Sequence, residues 1–361
     1  MPQPILYVAI TSHGYGHATR MCSVVAEMRR RCPELLVILV TTAPRPLLEA
    51  YLKGDFIHRP LALDIGVVQG DSLTMDKTAT LEKLRQIRDR ARSIIAGEVN
   101  FIRQNRVGLV LADIPPLAAP IARAAGVPGW MIGNFGWDFI YRAWGGEFVE
   151  MADWIADQFS QCDRLFRLPF HEPMGAFPHI TDVGLSGGTP SFPLEQLRET
   201  FQLTAPPERT ILMTFGGLGV DQVPVQNLQR FPDWQFITFD RQIADAPNLV
   251  RIVDRQYCPV DFMPLCSRVI SKPGYSTFAE ACRVGLPIIS ITREDFAEAP
   301  VLIQGIQDHA HHRILTPSEF FQSDWQFLEE PLQPPRLPDP LAKDGNEAIA
   351  AAVTDYLHAA G

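Results

Sequence analysis

The chain has 361 residues, of which 46% are hydrophobic and 20% are charged. This balance excludes an intrinsically disordered chain, and the length predicts about two domains. The 32 basic and 41 acidic residues leave a net charge of −9, which disfavours general binding to a nucleic-acid phosphate backbone. The apolar runs are too short for a transmembrane helix and the six cysteines form no Cys-X-X-Cys pair. We therefore expect a cytoplasmic protein with reduced, mostly buried thiols.

Two segments share one design, in which an apolar run precedes a glycine-rich turn. In the first half, residues 5–11 lead into the turn 12–17 and the helical pattern 18–31. In the second half, residues 210–215 lead into the turn 216–219. Other apolar runs predicted as strands are residues 35–42, 107–112, 130–132, 235–239, 269–270 and 287–291. The alternation predicts an α/β fold of two Rossmann-like, doubly wound domains that face each other across a cleft.

The loop-rich stretch 168–193, which is punctuated by proline and glycine, predicts the domain boundary. We place an N-terminal, acceptor-side domain at residues 1–180 and a C-terminal, nucleotide-sugar-binding domain at 181–361. A last helix is predicted over residues 346–359.

The first turn combines two glycines with two histidines. Gly14 and Gly16 allow a ligand to approach the backbone closely. The turn lacks the third glycine of the dinucleotide fingerprint, and the second strand ends without an acid, so NAD binding is disfavoured. His17, at the start of a helix, is a candidate general base, and His13 is a candidate binding or structural residue. The alternative for either histidine is a helix cap.

A histidine base usually requires a carboxylate that orients it. Asp113 follows a predicted strand and is the first candidate, although it also fits a helix cap before Pro115. Asp138 is the competing partner. Nearby, Asn134 and Trp137 are candidates for an acceptor cleft, while aromatic residues are more often part of the core.

The second domain carries the sharper signal for phosphate binding. Residues 271–277 follow a short strand and precede a helical pattern, so backbone amides, hydroxyls and a lysine are expected to hold a diphosphate. A capping box formed by Thr277 and Glu280 is the alternative. A solvated loop is the alternative for Glu298. The predicted donor-binding residues are Gly216, Gly217, Lys272, Gly274, Ser276, Thr277, Glu280 and Glu298.

These motifs resemble glycosyltransferases of the GT-B fold, and in particular the N-terminal glycosyltransferase-like domain of L-arabinokinases. The most specific segments are residues 14–20, 134–141 and 274–277, with further similarity at 68–74 and 167–169. The sugar-kinase half of arabinokinases has no counterpart here, so phosphorylation of arabinose is not implied.

The resemblance implies an inverting, metal-independent transferase that uses a nucleotide-diphosphate sugar, most readily a UDP-sugar. It implies that His17 activates the acceptor hydroxyl, that Glu280 binds the ribose and that Glu298 contacts the donor sugar. The nucleotide-sugar is a substrate, and no cofactor or metal is expected. The acceptor (small molecule, glycan or lipid) is not fixed. Peripheral membrane contact through the basic residues of segment 83–92 stays open. The alternatives are a non-catalytic nucleotide-sugar-binding protein and a nucleotide-sugar epimerase or hydrolase.

Overall fold

The computed structural model describes residues 3–70, 75–216 and 223–360. The chain divides into two compact units. The first unit holds the chain up to Gln69, the segment Met75–Gly187 and the stretch that begins at Ala342, while the second is chiefly Gly188–Leu341. Each unit has one parallel sheet of its own.

The first unit contains a seven-stranded sheet with the order β3-β2-β1-β4-β5-β6-β7, in which all neighbouring strands are parallel. Its central strands are buried over nearly their whole length and rich in aliphatic residues, as expected for a sheet with helices on both faces. The strands are β1 (Ile5–Ile10), β2 (Leu36–Val40), β3 (Ile57–Arg59), β4 (Leu109–Asp113), β5 (Gly129–Gly133), β6 (Arg164–Arg167) and β7 (Ile180–Asp182). The helices are α1 (Gly16–Arg31), α2 (Arg45–Tyr51), α3 (Lys77–Gln104), α4 (Ala118–Ala125), α5 (Trp137–Trp144) and α6 (Phe148–Phe159).

The second unit contains a six-stranded parallel sheet with the order β10-β9-β8-β11-β12-β13. The strands are β8 (Thr210–Thr214), β9 (Gln235–Thr238), β10 (Leu249–Arg251), β11 (Arg268–Ser271), β12 (Ile288–Ile291) and β13 (His312–Leu315). The helices are α7 (Leu194–Thr200), α8 (Val225–Leu228), α9 (Pro259–Phe262), α10 (Tyr275–Val284), α11 (Glu298–His309) and α12 (Pro317–Phe321). One face of the sheet packs on a core that includes Phe215, Phe236, Phe320 and Trp325.

The last helix, α13 (Gly345–Ala360), belongs to the first unit and packs against α1. Hydrogen bonds attach its start to the first unit: Leu185 N donates to Ala342 O, Gly187 N donates to Asn346 Oδ1, and Asn346 Nδ2 donates to Gly187 O. The predicted division into 1–180 and 181–361 therefore differs from the structure in two ways. The chain changes unit near residue 187, and it returns to the first unit at Ala342.

The two α/β sheets agree with the predicted fold class, and every predicted strand is present within a few residues. The sequence does not predict five of the strands, namely β3, β6, β7, β10 and β13. Each has only three or four residues and none of them is fully buried, so no long apolar run marks them. The six cysteines are free, and only Cys282 is not buried.

Candidate functional site

Each sheet has one point where the order of its strands reverses, between β1 and β4 in the first unit and between β8 and β11 in the second. Open parallel sheets bind ligands at such points, outside the carboxyl ends of the strands. In the first unit, Ile10 pairs with Asp113, and the turn before α1 follows directly. In the second unit, Thr214 pairs with Ser271, and the loop that leads to α10 follows. Both candidate sites therefore lie where this fold class places ligands.

His17 and Asp113 are in direct contact. The His17 Nδ1 atom lies 2.8 Å from Asp113 Oδ1, and both side chains are buried. Arg20 joins them from the next turn of α1: its Nε lies 2.6 Å from Asp113 Oδ2 and its Nη2 lies 2.6 Å from Oδ1. The Arg20 Nη2 atom is also 3.1 Å from His17 Nδ1. One carboxylate is thus shared by an imidazole and a guanidinium.

The charge state of Asp113 fixes the tautomer of His17. Burial by itself raises the pKa of the Asp113 carboxyl, but the charges and hydrogen bonds of Arg20 and His17 outweigh it, and the pKa is lowered from its usual value. An ionised carboxylate only accepts hydrogen bonds, so His17 Nδ1 must carry the hydrogen that it shares with Oδ1. In the neutral ring, Nε2 then holds the lone pair and is the atom that is able to take a proton.

Asn134 directly follows β5, and Asp138 lies in the first turn of α5. The two side chains have different neighbours. Asn134 is fully buried and its Oδ1 accepts a hydrogen bond from Arg20 Nη1 at 2.9 Å, so it helps to hold the arginine in place. Burial raises the pKa of the Asp138 carboxyl. Of the two predicted carboxylate partners, the structure brings Asp113 to His17.

A further buried carboxylate, Asp64, is not among the residues that the sequence predicts for this site. It accepts hydrogen bonds from the Thr11 hydroxyl, from Ser12 N at 2.8 Å and from Trp137 Nε1 at 3.1 Å. Burial raises its pKa to about 6, although these donors and His17 lower it in part. Asp64 therefore ties the turn that carries His13 and His17 to the start of α5. It lies in a loop after β3, where no local pattern distinguishes it.

His13 and Trp137 pack on each other at the same turn. Their rings meet edge to face at 5.1 Å, and His13 Nδ1 accepts a hydrogen bond from Val67 N at 3.3 Å. Trp137 is 1% exposed and, together with Asp64 and Tyr141, lines a narrow pocket. In contrast, Gly14 and Gly16 are exposed. The binding of an acceptor by these residues stays a prediction.

In the second unit, the structure brings Gly216 and Lys272 together. Gly216 has a φ of +81°, and a methyl group placed on it would lie 3.8 Å from Lys272 Nζ. Gly216 is exposed and Lys272 is half-buried. The predicted residue Gly217 lies outside the described residues.

The α10 helix begins at Tyr275, three residues before the predicted start. Its N-cap is Gly274, no side chain caps it, and its first turn contains no acidic residue. Thr277 is therefore inside the helix, which excludes the alternative of a capping box formed with Glu280. The backbone amides of this first turn lie at the N-terminus of the helix, a position that favours an anion.

Glu280 and Glu298 are both buried. The Glu280 carboxylate accepts a hydrogen bond from Gly188 N at 2.9 Å, while Arg283 donates to Gly188 O at 3.0 Å. Burial raises the pKa of Glu280 to about 7. Glu280 thus fixes the backbone at the start of the second unit. Glu298 is the first residue of α11. Binding of ribose or sugar by the two acids stays a prediction.

Two other features bear on possible ligands. In the described part of the chain, Cys32, Glu34 and His358 have ligand atoms within 4.8 Å of one another. Cys32 follows the C-terminal end of α1, whereas His17 lies at the N-terminal end, so this group is remote from the catalytic candidates.

On α3, Arg85 and Arg88 form ion pairs with Glu147 and Glu150, so the basic face of this helix is partly neutralised. Among the helices that the structure describes, none combines the length and apolar character needed to cross a bilayer.

The chain is similar to known proteins at two levels. No protein-family model matches it. It is 30% identical over 304 residues to an L-arabinokinase of Arabidopsis thaliana, a match that covers 81% of this chain and 28% of the relative. The chain therefore spans about a quarter of that relative's length.

Solved glycosyltransferases share the fold. A UDP-glucosyltransferase from Polygonum tinctorium has a TM-score of 0.63 at 12% identity, with 100% of this chain and 94% of that one covered. The calicheamicin glycosyltransferase CalG4 has a TM-score of 0.60 at 15% identity, with the same coverage. A Medicago truncatula enzyme complexed with UDP-glucose has a TM-score of 0.59 at 11% identity, with 99% and 93% covered. The chain has the GT-B fold of glycosyltransferases and resembles the N-terminal, glycosyltransferase-like domain of L-arabinokinases.

Proposed function

We propose that this protein transfers a sugar from a nucleotide-diphosphate sugar, most readily a UDP-sugar, to an acceptor hydroxyl. The observation that carries the proposal is the contact of His17 with Asp113 at the strand-order reversal of the first sheet. A neutral imidazole whose Nδ1 hydrogen is held by a buried carboxylate has its Nε2 available as a general base.

In the proposed reaction, His17 Nε2 takes the proton of the acceptor hydroxyl. The oxygen forms a bond to the anomeric carbon of the donor while the bond from that carbon to the diphosphate oxygen breaks. The leaving nucleoside diphosphate carries away the electron pair, and this attack from the opposite face inverts the anomeric centre. Metal-free transfer follows if the protein itself neutralises the leaving group.

The second unit offers the groups for that task. The Lys272 ammonium lies beside Gly216, and the first turn of α10 places backbone amides at the N-terminus of the helix. A cation and helix-terminal amides stabilise a developing negative charge without a bound metal. The hydroxyls of Ser276 and Thr277 lie in the same turn and complete the proposed diphosphate site.

Donor binding is tested first by thermal shift with UDP, dTDP, GDP and ADP and their sugars. A ligand at 100 times its Kd adds about 2.7 kcal/mol, which corresponds to several degrees at roughly 2–4 °C per kcal/mol. We expect a shift with one nucleotide family. Lys272→Ala should weaken that binding by about tenfold or more, the loss expected for a charge-assisted contact, whereas the exposed Lys83→Ala should not change it.

Catalysis is tested by His17→Ala with the donor thus identified. Removal of a general base should lower the transfer rate by about 10²–10⁴-fold, while the donor affinity stays unchanged. An unchanged transfer rate would exclude His17 as the base. Donor binding without turnover over a broad panel of acceptors would favour the non-catalytic alternative. Donor consumption without acceptor would favour the epimerase or hydrolase.

A further inference from the structure

Arg20 is the least expected member of the first site. It is 2% exposed, and it contacts the carboxylate of Asp113 through Nε and Nη2 and the amide oxygen of Asn134 through Nη1. The guanidinium is thus fixed along two edges. Its Nη2 lies 3.1 Å from the ring nitrogen of His17, so a permanent positive charge stands next to the imidazole.

This arrangement changes the charge balance of the histidine–carboxylate pair. In a pair without the arginine, the ionised carboxylate favours the protonated imidazole, because the two opposite charges cancel. Here the charge of Asp113 is already balanced by Arg20, so protonation of His17 adds a positive charge that these two residues do not compensate. A buried uncompensated charge is costly.

From this geometry we infer that Arg20 is a positioning residue that sets the proton affinity of His17 through the carboxylate it shares with Asp113. It keeps His17 neutral, and hence ready to take a proton, at a lower pH than the pair alone would allow. The same contact holds Asp113 ionised and so keeps the His17 hydrogen on Nδ1. The effect of Arg20 on catalysis rests on the proposed transfer reaction. Its effect on the titration of His17 can be measured whether or not the protein is a transferase.

The other titratable groups near His17 are common to all the variants compared. Asp64 interacts with His17 electrostatically, and the His13 ring lies 6.4 Å from the His17 ring. The aromatic rings of Phe135 and Trp137 also lie near the His17 ring, at 5.8 and 6.4 Å. A difference between wild type and an Arg20 variant therefore reports the guanidinium and not these neighbours.

The test is an NMR titration of ¹³C/¹⁵N-histidine-labelled full-length protein, with the His17 signal assigned from His17→Gln. In wild type we expect the tautomer that carries hydrogen on Nδ1. In Arg20→Met, the pKa of His17 should rise by about one unit or more, as expected for an unbalanced carboxylate. In Arg20→Lys, which keeps the charge, it should stay within about half a unit.

The matched control is Arg59→Met. Arg59 pairs with the buried Glu98 at 2.5 Å in the same unit, so its loss also removes the cation from a buried carboxylate, which keeps the hydrogen bond from the Tyr7 hydroxyl. It should leave the titration of His17 unchanged. If Arg20→Met does not fold, Asp113→Asn is compared with Arg20→Met/Asp113→Asn. The pKa of His17 should be about one unit or more higher in the double variant.

A pKa of His17 that is the same with and without Arg20, or a wild-type ring with hydrogen on Nε2, would overturn the inference. Where transfer activity is found, the acidic limb of its pH profile should move to higher pH in Arg20→Met and much less in Arg20→Lys. A wild-type protein without transferase activity would refute the proposed function, and the titration would still decide the role of Arg20.

Discussion

Three buried carboxyl groups in this protein titrate differently because their partners differ. Asp113 faces the full charge of Arg20, and its pKa is lowered in spite of burial. Asp64 is hydrogen-bonded by neutral donors, with His17 nearby, and burial raises its pKa to about 6. Glu280 accepts one backbone hydrogen bond, and burial raises its pKa to about 7. The direct hydrogen bonds and charge of Arg20, together with His17, outweigh burial at Asp113, whereas the charge of Arg283 near Glu280 does not.

Glu280 makes the stability of the fold depend on pH. Its pKa is raised from 4.5 to about 7 in the folded state. Between pH 4.5 and pH 7, the carboxyl group is therefore protonated in the folded state and ionised in the unfolded state. Stability should therefore be higher at low pH and fall as the pH rises from about 4.5 to 7. Glu280→Gln keeps an acceptor for Gly188 but does not titrate.

Urea unfolding at pH 5 and pH 8 measures this effect. From pH 5 to pH 8, Glu280→Gln should gain roughly 2–3 kcal/mol of stability relative to wild type, since one pKa unit corresponds to about 1.4 kcal/mol. The exposed Glu82→Gln should follow wild type at both pH values. If the difference between Glu280→Gln and wild type does not change with pH, Glu280 does not titrate as a buried acid.

Between elements, the position of His13 depends on a loop that follows β3. Gly66 in that loop has a φ of +53°, and a methyl group on it would lie 2.4 Å from His13 Cβ. Its carbonyl also accepts a hydrogen bond from the Tyr141 hydroxyl. The loop and the turn are therefore packed so closely that only glycine fits at position 66.

Gly66→Ala should destabilise the protein through both backbone strain and overlap with His13. Gly126→Ala is the matched control: Gly126 also has a positive φ, of +82°, but a methyl group there has nothing within 4 Å. We expect Gly66→Ala to cost about 1–3 kcal/mol more than the control in urea unfolding. Equal losses in the two variants would mean that the contact with His13 relaxes easily.

The elements also show which features the sequence can predict. Buried parallel strands have continuous apolar runs, so β1, β4, β8 and β11 are predicted, and with them the turns that follow. The sequence singles out His17, Asp113, Lys272 and Gly274 as candidates because each lies at or shortly after such a strand end. Arg20 lies three residues after His17, a spacing that places both on one face of a helix, and this signal was available. Asp64 carries no such signal, because its partners are brought to it only by the tertiary fold.

At the scale of the whole molecule, the chain leaves the first unit after Gly187 and re-enters it at Ala342. These two passages are held together by backbone contacts. A methyl group on Gly345 would lie 2.2 Å from the carbonyl oxygen of Gly184, and Gly345 N donates to Leu185 O at 3.2 Å. The packing of α13 on the first unit thus depends on two backbone segments, at residues 184–185 and at Gly345, that approach each other with no side chain between them.

Gly345→Ala should consequently weaken the attachment of α13, because neither the helix start nor the carbonyl of Gly184 is able to move as a flexible side chain would. Overpacking of this kind costs about 1–3 kcal/mol, occasionally more. Gly97→Ala, on an exposed and open position of α3, should instead stabilise the protein by about 0.5–1 kcal/mol. Urea unfolding measures both, and limited proteolysis near residue 342 should cut Gly345→Ala faster than wild type. If Gly345→Ala has the same stability in urea and the same rate of proteolysis as wild type, the attachment of α13 does not depend on this close approach. Its packing on α1 would then be sufficient to hold it.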